Sequence, residues 1–118
     1  MDSISILYNT ELEAIEIRKQ DGKDVQSIYQ TMDEALGLLK FLNTFKQFFN
    51  EDDEYWIRFE VYLNTRPTVL YGLDTGEWVI ATQVYGEEVR RISFTSEEMK
   101  ILIRKLTRLL SKKNDKLY

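Results

Sequence analysis

Cysteine and histidine are both absent from this chain of 118 residues, and proline occurs once. Their absence excludes disulfide bonds, thiol nucleophiles, imidazole general bases and every zinc site built on Cys or His. The chain also has no apolar run long enough for a membrane span and no secretory signal at its start. We therefore expect a cytoplasmic protein with no cofactor, no metal and no membrane partner.

The sequence motifs of common enzymes are missing as well. There is no G-x-S-x-G elbow, no phosphate-binding loop and no G-x-G-x-x-G turn. The 20 acidic residues are scattered, so that no carboxylate pair stands out for acid-base chemistry. The acidic run at 51–54 lacks the ligand spacing of a calcium loop. We predict a protein that is not an enzyme, and a metal-dependent carboxylate enzyme is only the third alternative.

Apolar residues make up 43% of the chain and charged residues 31%, which is typical of one globular domain. The net charge of −4 is unevenly distributed. Residues 1–60 hold 6 basic and 13 acidic side chains, a net charge of −7, whereas residues 61–118 hold 10 basic and 7 acidic ones, a net charge of +3. A polyanion is therefore attracted to the C-terminal half and repelled by the N-terminal half.

Alternation of apolar and polar residues predicts seven strands. Asp21-Gly22 predicts a type I′ hairpin turn between two of them, and residues 78–85 are apolar on both faces, which is typical of a central strand. The expected strands are 3–8, 12–19, 25–30, 55–63, 69–73, 78–85 and 89–94.

Two capping boxes predict the two helices. Thr31 and Glu34 begin one that runs to Asn50, and Thr95 and Glu98 begin one that runs to about 113. The predicted fold class is α+β: a single domain with an antiparallel-rich curled sheet or pseudo-barrel of six to seven strands and two helices.

The two capping boxes lie 64 residues apart, and the correspondence extends beyond them. With that offset Gly22 matches Gly86 and Ile28 matches Ile92. The match indicates a pseudo-repeat of residues 4–50 and 67–113. The alternative is that any two units of three strands and a helix look alike, because turns favour Gly and helix caps favour Thr.

Two surfaces carry residue types suited to nucleic acid. The last helix has a basic residue at every fourth position from Lys100 to Lys112, opposite its apolar stripe. Such a pattern is typical either of contact with phosphates or of a solvated helix surface. The non-core face of the sheet combines aromatic side chains, on which unpaired bases stack, with arginines. The alternative there is cross-strand packing beneath a helix. The predicted nucleic-acid-binding residues are Trp56, Arg58, Tyr62, Arg66, Arg90, Arg91, Arg104 and Arg108.

In size, in its composition free of Cys and His and rich in Lys, Ile, Leu and Glu, and in its succession of elements, the whole chain resembles the PrgU-like small regulatory proteins of Gram-positive, enterococcal conjugative plasmids. The resemblance implies a fold similar to the PUA barrel of RNA-binding proteins. It also implies a role in limiting production of a plasmid-encoded surface adhesin by acting on its transcript.

The leading hypothesis is a non-catalytic regulator that binds RNA, or single-stranded DNA. The alternative is a protein-binding module, such as an immunity factor or an inhibitor of a host protein, which uses the acidic N-terminal half and the edge formed by Phe41, Phe45 and Phe48. The width of this Phe-rich helix face also favours a homodimer.

Overall fold

The computed structural model describes residues 3–46, 58–61, 68–72, 76–84 and 87–115. Within them the chain forms seven strands and two helices, which confirms the predicted α+β class in a single small domain. The elements in chain order are β1 (Ile4–Asn9), β2 (Ala14–Asp21), β3 (Asp24–Gln30), α1 (Met32–Phe45), β4 (Arg58–Val61), β5 (Thr68–Gly72), β6 (Trp78–Val84), β7 (Glu87–Phe94) and α2 (Ser96–Asp115).

The strands form two antiparallel sheets. The first has the order β1-β2-β3 and the second the order β4-β5-β6-β7. In the part of the chain described, neither sheet closes on itself, so the predicted curled pseudo-barrel fits only loosely. The central position predicted for residues 78–85 is confirmed for residues 78–84, because β6 lies between β5 and β7 and is buried on both faces.

The hairpin predicted at Asp21-Gly22 is present, but its turn is of another type. Asp21 pairs with Asp24, which makes Gly22 and Lys23 the two central residues. Gly22 has φ +60°, whereas Lys23 is not among the residues with positive φ. A positive φ at the first central position only is the mark of a type II′ turn, which favours Gly there.

Gly22→Ala is therefore expected to lower the free energy of unfolding by about 1–2 kcal/mol, because a side chain disfavours the left-handed backbone. Nothing lies within 4 Å of an added Cβ, so the effect is conformational and not a clash. Urea denaturation measures it, and Gly22→Asn, which tolerates positive φ better, is the control. A loss for Asn as large as that for Ala would contradict this explanation.

Both predicted capping boxes are confirmed. The Thr31 side chain accepts from the Glu34 backbone N–H at 3.2 Å, and the Glu34 carboxylate accepts from the Thr31 N–H at 2.9 Å. Thr95 and Glu98 make the same pair of bonds at the start of α2. The cap of α1 at its C-terminal end is Lys46. The rest of that helix's predicted length, residues 47–50, lies outside the described part.

The units β1-β2-β3-α1 and β5-β6-β7-α2 place equivalent residues in equivalent rows. In each unit three apolar side chains oppose one another across the three strands, on the face that the helices cover. The two rows are Ile6–Ile17–Ile28 and Leu70–Ile80–Ile92. The offset is 64 residues on the outer strands of each unit and 63 on the middle strand. The pseudo-repeat of residues 4–50 and 67–113 stays a prediction.

A β-bulge accounts for the change of the offset from 63 on β6 to 64 on β7. Thr82 pairs with Arg90, but Gln83 pairs with Glu88, so Val89 has no opposite residue. A bulge inserts one residue and bends the strand. Val89 is accordingly exposed. Gly86, which the 64-residue offset matched with Gly22, lies outside the described residues.

The two sheets meet where β3 lies beside β7, a contact that we call the seam. Side chains of the first sheet satisfy the backbone of Ser93. Gln26 Oε1 accepts from the Ser93 N–H at 3.0 Å, and Lys19 Nζ donates to the Ser93 carbonyl at 2.9 Å. A third bond between the sheets runs from the buried Gln30 amide to Thr68 Oγ1 at 3.0 Å. Hydrogen bonds from polar side chains thus connect the two sheets at several points.

Candidate nucleic-acid interface

One face of α2 is buried in the core and orients the opposite face outward. Its fully buried side chains are Met99, Leu102, Leu106 and Leu110, which recur at the spacing of an amphipathic helix. Because a helix has 3.6 residues per turn, residues four apart on the other side form a line that is inclined to the axis by about 26°. A basic residue on that line lies on the outer side of α2, because the apolar stripe packs into the core.

Four cations occupy that line, and we call them the α2 basic face: Lys100, Arg104, Arg108 and Lys112. All four are exposed. Successive members are about 6 Å apart along the axis, and the line spans about 18 Å. Among the described residues only Lys100 has an acidic partner, Glu97 at 3.1 Å. Exposed pairs of this kind are weak and screened by salt, so the face keeps its positive charge.

Two neighbouring residues of α2 do not belong to this face. Lys105, which the sequence places beside the basic residues, donates from Nζ to the Ile4 carbonyl of β1. Ile101 is half-buried and packs against the core cluster, so it is not an exposed contact within the basic face. Lys105 thus connects α2 to β1, and Ile101 contributes to the core.

Arg90 and Arg91 are not brought together. Both are exposed, but they are consecutive residues of β7, and successive side chains of a strand point to opposite faces. Arg90 lies in the row of Thr68 and Thr82, whereas Arg91 lies in the row of Val69 and Ala81. Arg90 and Arg91 therefore do not belong to one face of the sheet.

Arg90 stacks on an aromatic ring that the sequence analysis did not single out. Its guanidinium carbon lies 5.2 Å from the centroid of the Tyr29 ring, across the seam. The Tyr29 hydroxyl donates to Glu16 Oε2 at 2.7 Å. That hydrogen bond and the negative charge of Glu16 raise the pKa of Tyr29. We call Glu16, Arg18, Tyr29 and Arg90 the Tyr29 cluster.

Arg91 lies near a second tyrosine. The Tyr71 hydroxyl donates to Glu88 Oε1 at 2.8 Å. Burial and the bond to Glu88 raise the pKa of Tyr71, while Arg91 opposes the shift. Among the described residues Arg91 has no stacked ring, so it is a weaker candidate than Arg90 for a contact with a base.

The structure gives little information on the remaining predicted residues. Arg58 begins β4, in register opposite Tyr71. Trp56, Tyr62 and Arg66 lie outside the described residues. The aromatic sheet face that the sequence predicts around Trp56 and Tyr62 therefore stays a prediction.

The surface predicted for a protein partner or a homodimer is also only partly described. Phe41 is half-buried and packs against the core. The side chain of Phe45 and the whole of Phe48 lie outside the described part. In the structure, then, the first of the three rings contributes to the fold's own core.

A scan against protein-family models finds no match for this chain, and a search of curated proteins finds none either. Neither described helix is long and apolar enough to cross a membrane. Within the same residues, no group of three or more acidic side chains is arranged to hold a metal ion.

Proposed function

We propose that this protein is a small non-catalytic regulator that binds RNA, or less favourably single-stranded DNA, through the α2 basic face. The observation that supports the proposal is the row of four exposed cations, Lys100 to Lys112, only one of which has an acidic partner among the described residues. Each phosphate that such a cation contacts releases counterions and adds affinity. The helix holds the cations in a fixed line, which reduces the entropy lost on binding.

The regulatory role follows from the resemblance to PrgU-like proteins and belongs to the same proposal. A cytoplasmic protein of this kind limits expression of a plasmid-encoded gene after transcription by binding the transcript. The net negative charge of the chain works against non-specific binding, because the acidic N-terminal half repels a polyanion. Binding is then favoured wherever the fold gathers cations on its surface.

Removing Arg104 and Arg108 together is expected to weaken RNA binding and its dependence on salt. For single strands each phosphate contact contributes about 0.7 to the slope of log K against log salt concentration. Arg104→Ala/Arg108→Ala should therefore reduce the slope by about 1.4. Filter binding or fluorescence anisotropy with a single-stranded RNA across a salt series measures both quantities.

The matched control is Lys23→Ala/Lys40→Ala, which removes the same charge from exposed positions on other elements. It should leave the slope unchanged. Equal effects of the two double variants would show that only net charge matters and would contradict an interface on α2. Affinity independent of salt would contradict the proposal as a whole.

The protein-binding alternative predicts a different result. A protein that inhibits or neutralises a partner should retain one stoichiometric protein and no nucleic acid in a pull-down. That result, together with no measurable RNA affinity at low salt, would replace the proposed function.

A further inference from the structure

The Tyr29 cluster is a second cationic surface, separate from the α2 basic face. Glu16, Arg18 and Tyr29 lie on the face of the first sheet opposite the core, because their strand neighbours Ile15, Ile17 and Ile28 point inward. Arg90 reaches the cluster across the seam. Glu16 and Tyr29 are directly opposed in the ladder, and Arg18 occupies the next position on the same face of β2.

Two contacts position the Tyr29 ring. Its hydroxyl donates to Glu16 at 2.7 Å, and the Arg90 guanidinium lies 5.2 Å above the ring centroid. In the described part of the chain no carboxylate lies within ion-pairing distance of Arg90, so the ring, and not an acid, positions its guanidinium plane. The side chain is exposed, which leaves that plane accessible to a ligand.

Arg18 has a donor without an acceptor. Its Nε is buried and has no hydrogen-bond partner, although Glu16 is two residues away on the same face. A guanidinium has five N–H donors and favours planar, bidentate acceptors such as phosphate. The Glu16 carboxylate accepts the hydrogen bond from Tyr29, and its negative charge is smaller than the combined charge of Arg18 and Arg90. The cluster therefore has a net positive charge. The cluster thus places a stacking plane beside a second guanidinium, whose terminal nitrogens, and not the buried Nε, are the donors that a bound phosphate can reach.

We infer that the Tyr29 cluster binds one unpaired base of a single-stranded RNA together with a neighbouring phosphate. The base stacks on the guanidinium of Arg90, which itself rests on Tyr29, and Arg18 donates to the phosphate. Proteins stack unpaired bases on aromatic rings and on arginine planes in this way. The inference rests on the proposed function, and it adds a contact to the base that the α2 basic face, which has no ring, does not supply.

Arg90→Lys tests the inference because it keeps the charge and removes the plane. The probes are a short single-stranded oligouridylate and an abasic oligoribonucleotide of the same length, compared at one salt concentration. Stacking predicts that the wild type prefers the oligouridylate by about 5-fold or more, and that Arg90→Lys brings the ratio close to one. The control is Arg91→Lys, which makes the same exchange at an exposed position on the opposite face of β7, outside both proposed contact surfaces, and should keep the wild-type ratio.

The outcomes separate the two proposals. If the wild type binds both strands equally, or if Arg90→Lys keeps the preference, the base site is wrong while RNA binding by α2 stands. If neither strand binds the wild type, the proposed function fails, and this inference fails with it. Arg90 is exposed, so its replacement should not unfold the protein.

Discussion

Ile28→Ala and Ile92→Ala are each expected to lower the free energy of unfolding by about 2–5 kcal/mol. Both side chains are fully buried, and they occupy equivalent positions in the two rows that face the helices. Removing three carbons from a close-packed core loses their transfer free energy and leaves a cavity that closes only in part. Because small domains are stable by about 5–15 kcal/mol, each change removes a large share of the total.

Each variant is also expected to unfold in one transition. Residues of both units belong to the same core cluster, so a cavity in one unit weakens the packing of the other. Urea denaturation followed by far-UV circular dichroism and by tryptophan fluorescence should give coincident curves. The fluorescence combines Trp56 with Trp78, which lies on β6 of the second unit, whereas circular dichroism reports on the secondary structure of both units.

Val25→Ala is the control for this experiment. Val25 lies on the same strand as Ile28 but is 47% exposed. Its replacement should change the free energy of unfolding by no more than about 0.5 kcal/mol. Two separated transitions in either isoleucine variant would show that the units have independent cores, which would contradict a single domain.

The features that sequence reasoning predicted well are local. A capping box places a Thr and a Glu three residues apart, so Thr31 and Thr95 mark the helix starts without any knowledge of the fold. Gly22 marks the hairpin for the same reason, although the turn is shifted by one residue and changes type. The apolar composition of both faces of β6 already indicates a central strand.

The errors and omissions concern the arrangement of strands that are distant in sequence. Arg90 and Arg91 were expected on one patch, yet the alternation of a strand places neighbours on opposite faces, and that signal was available in the sequence. The contact between Tyr29 and Arg90 was not, because it spans the seam between two sheets and has no sequence periodicity. The bulge at Val89 is equally invisible, since it depends on the pairing register.

Lys19 is the clearest case of a residue whose importance appears only in the folded chain. Sequence gives it no special status, but its ammonium group lies 2.9 Å from Glu98 of α2 and 2.9 Å from the Ser93 carbonyl of β7. It also lies 5.9 Å from the centroid of the Phe94 ring. One side chain of the first sheet thus contacts the second sheet and the capping box of α2.

Lys19→Met is expected to lower the free energy of unfolding by about 2 kcal/mol. The variant keeps most of the apolar side chain but leaves the Ser93 carbonyl and the Glu98 carboxylate without their cationic donor. The exposed fractions of the Lys19 and Glu98 side chains are only 12% and 19%, so water replaces the lost donor poorly. The control is Lys100→Met, which breaks a 3.1 Å pair with Glu97 whose side chains are 47% and 81% exposed. That change should cost at most about 0.5 kcal/mol.

The effect of Lys19→Met should depend on pH. Burial raises the pKa of Glu98, but the hydrogen bonds from Thr95 and Lys19 outweigh burial and hold the pKa below its ordinary value of 4.5. A carboxyl group with a lowered pKa in the folded state stabilises the protein above its unfolded pKa, and this stabilisation is lost as the pH falls through the folded pKa. Without Lys19 the pKa of Glu98 rises, and less stability remains to be lost in acid. The difference between wild type and Lys19→Met should therefore be largest near neutral pH and shrink as the pH falls below 4.5. A difference that stayed constant from neutral pH down to the acid range, measured by urea denaturation, would show that Lys19 acts through packing alone and not through its charge.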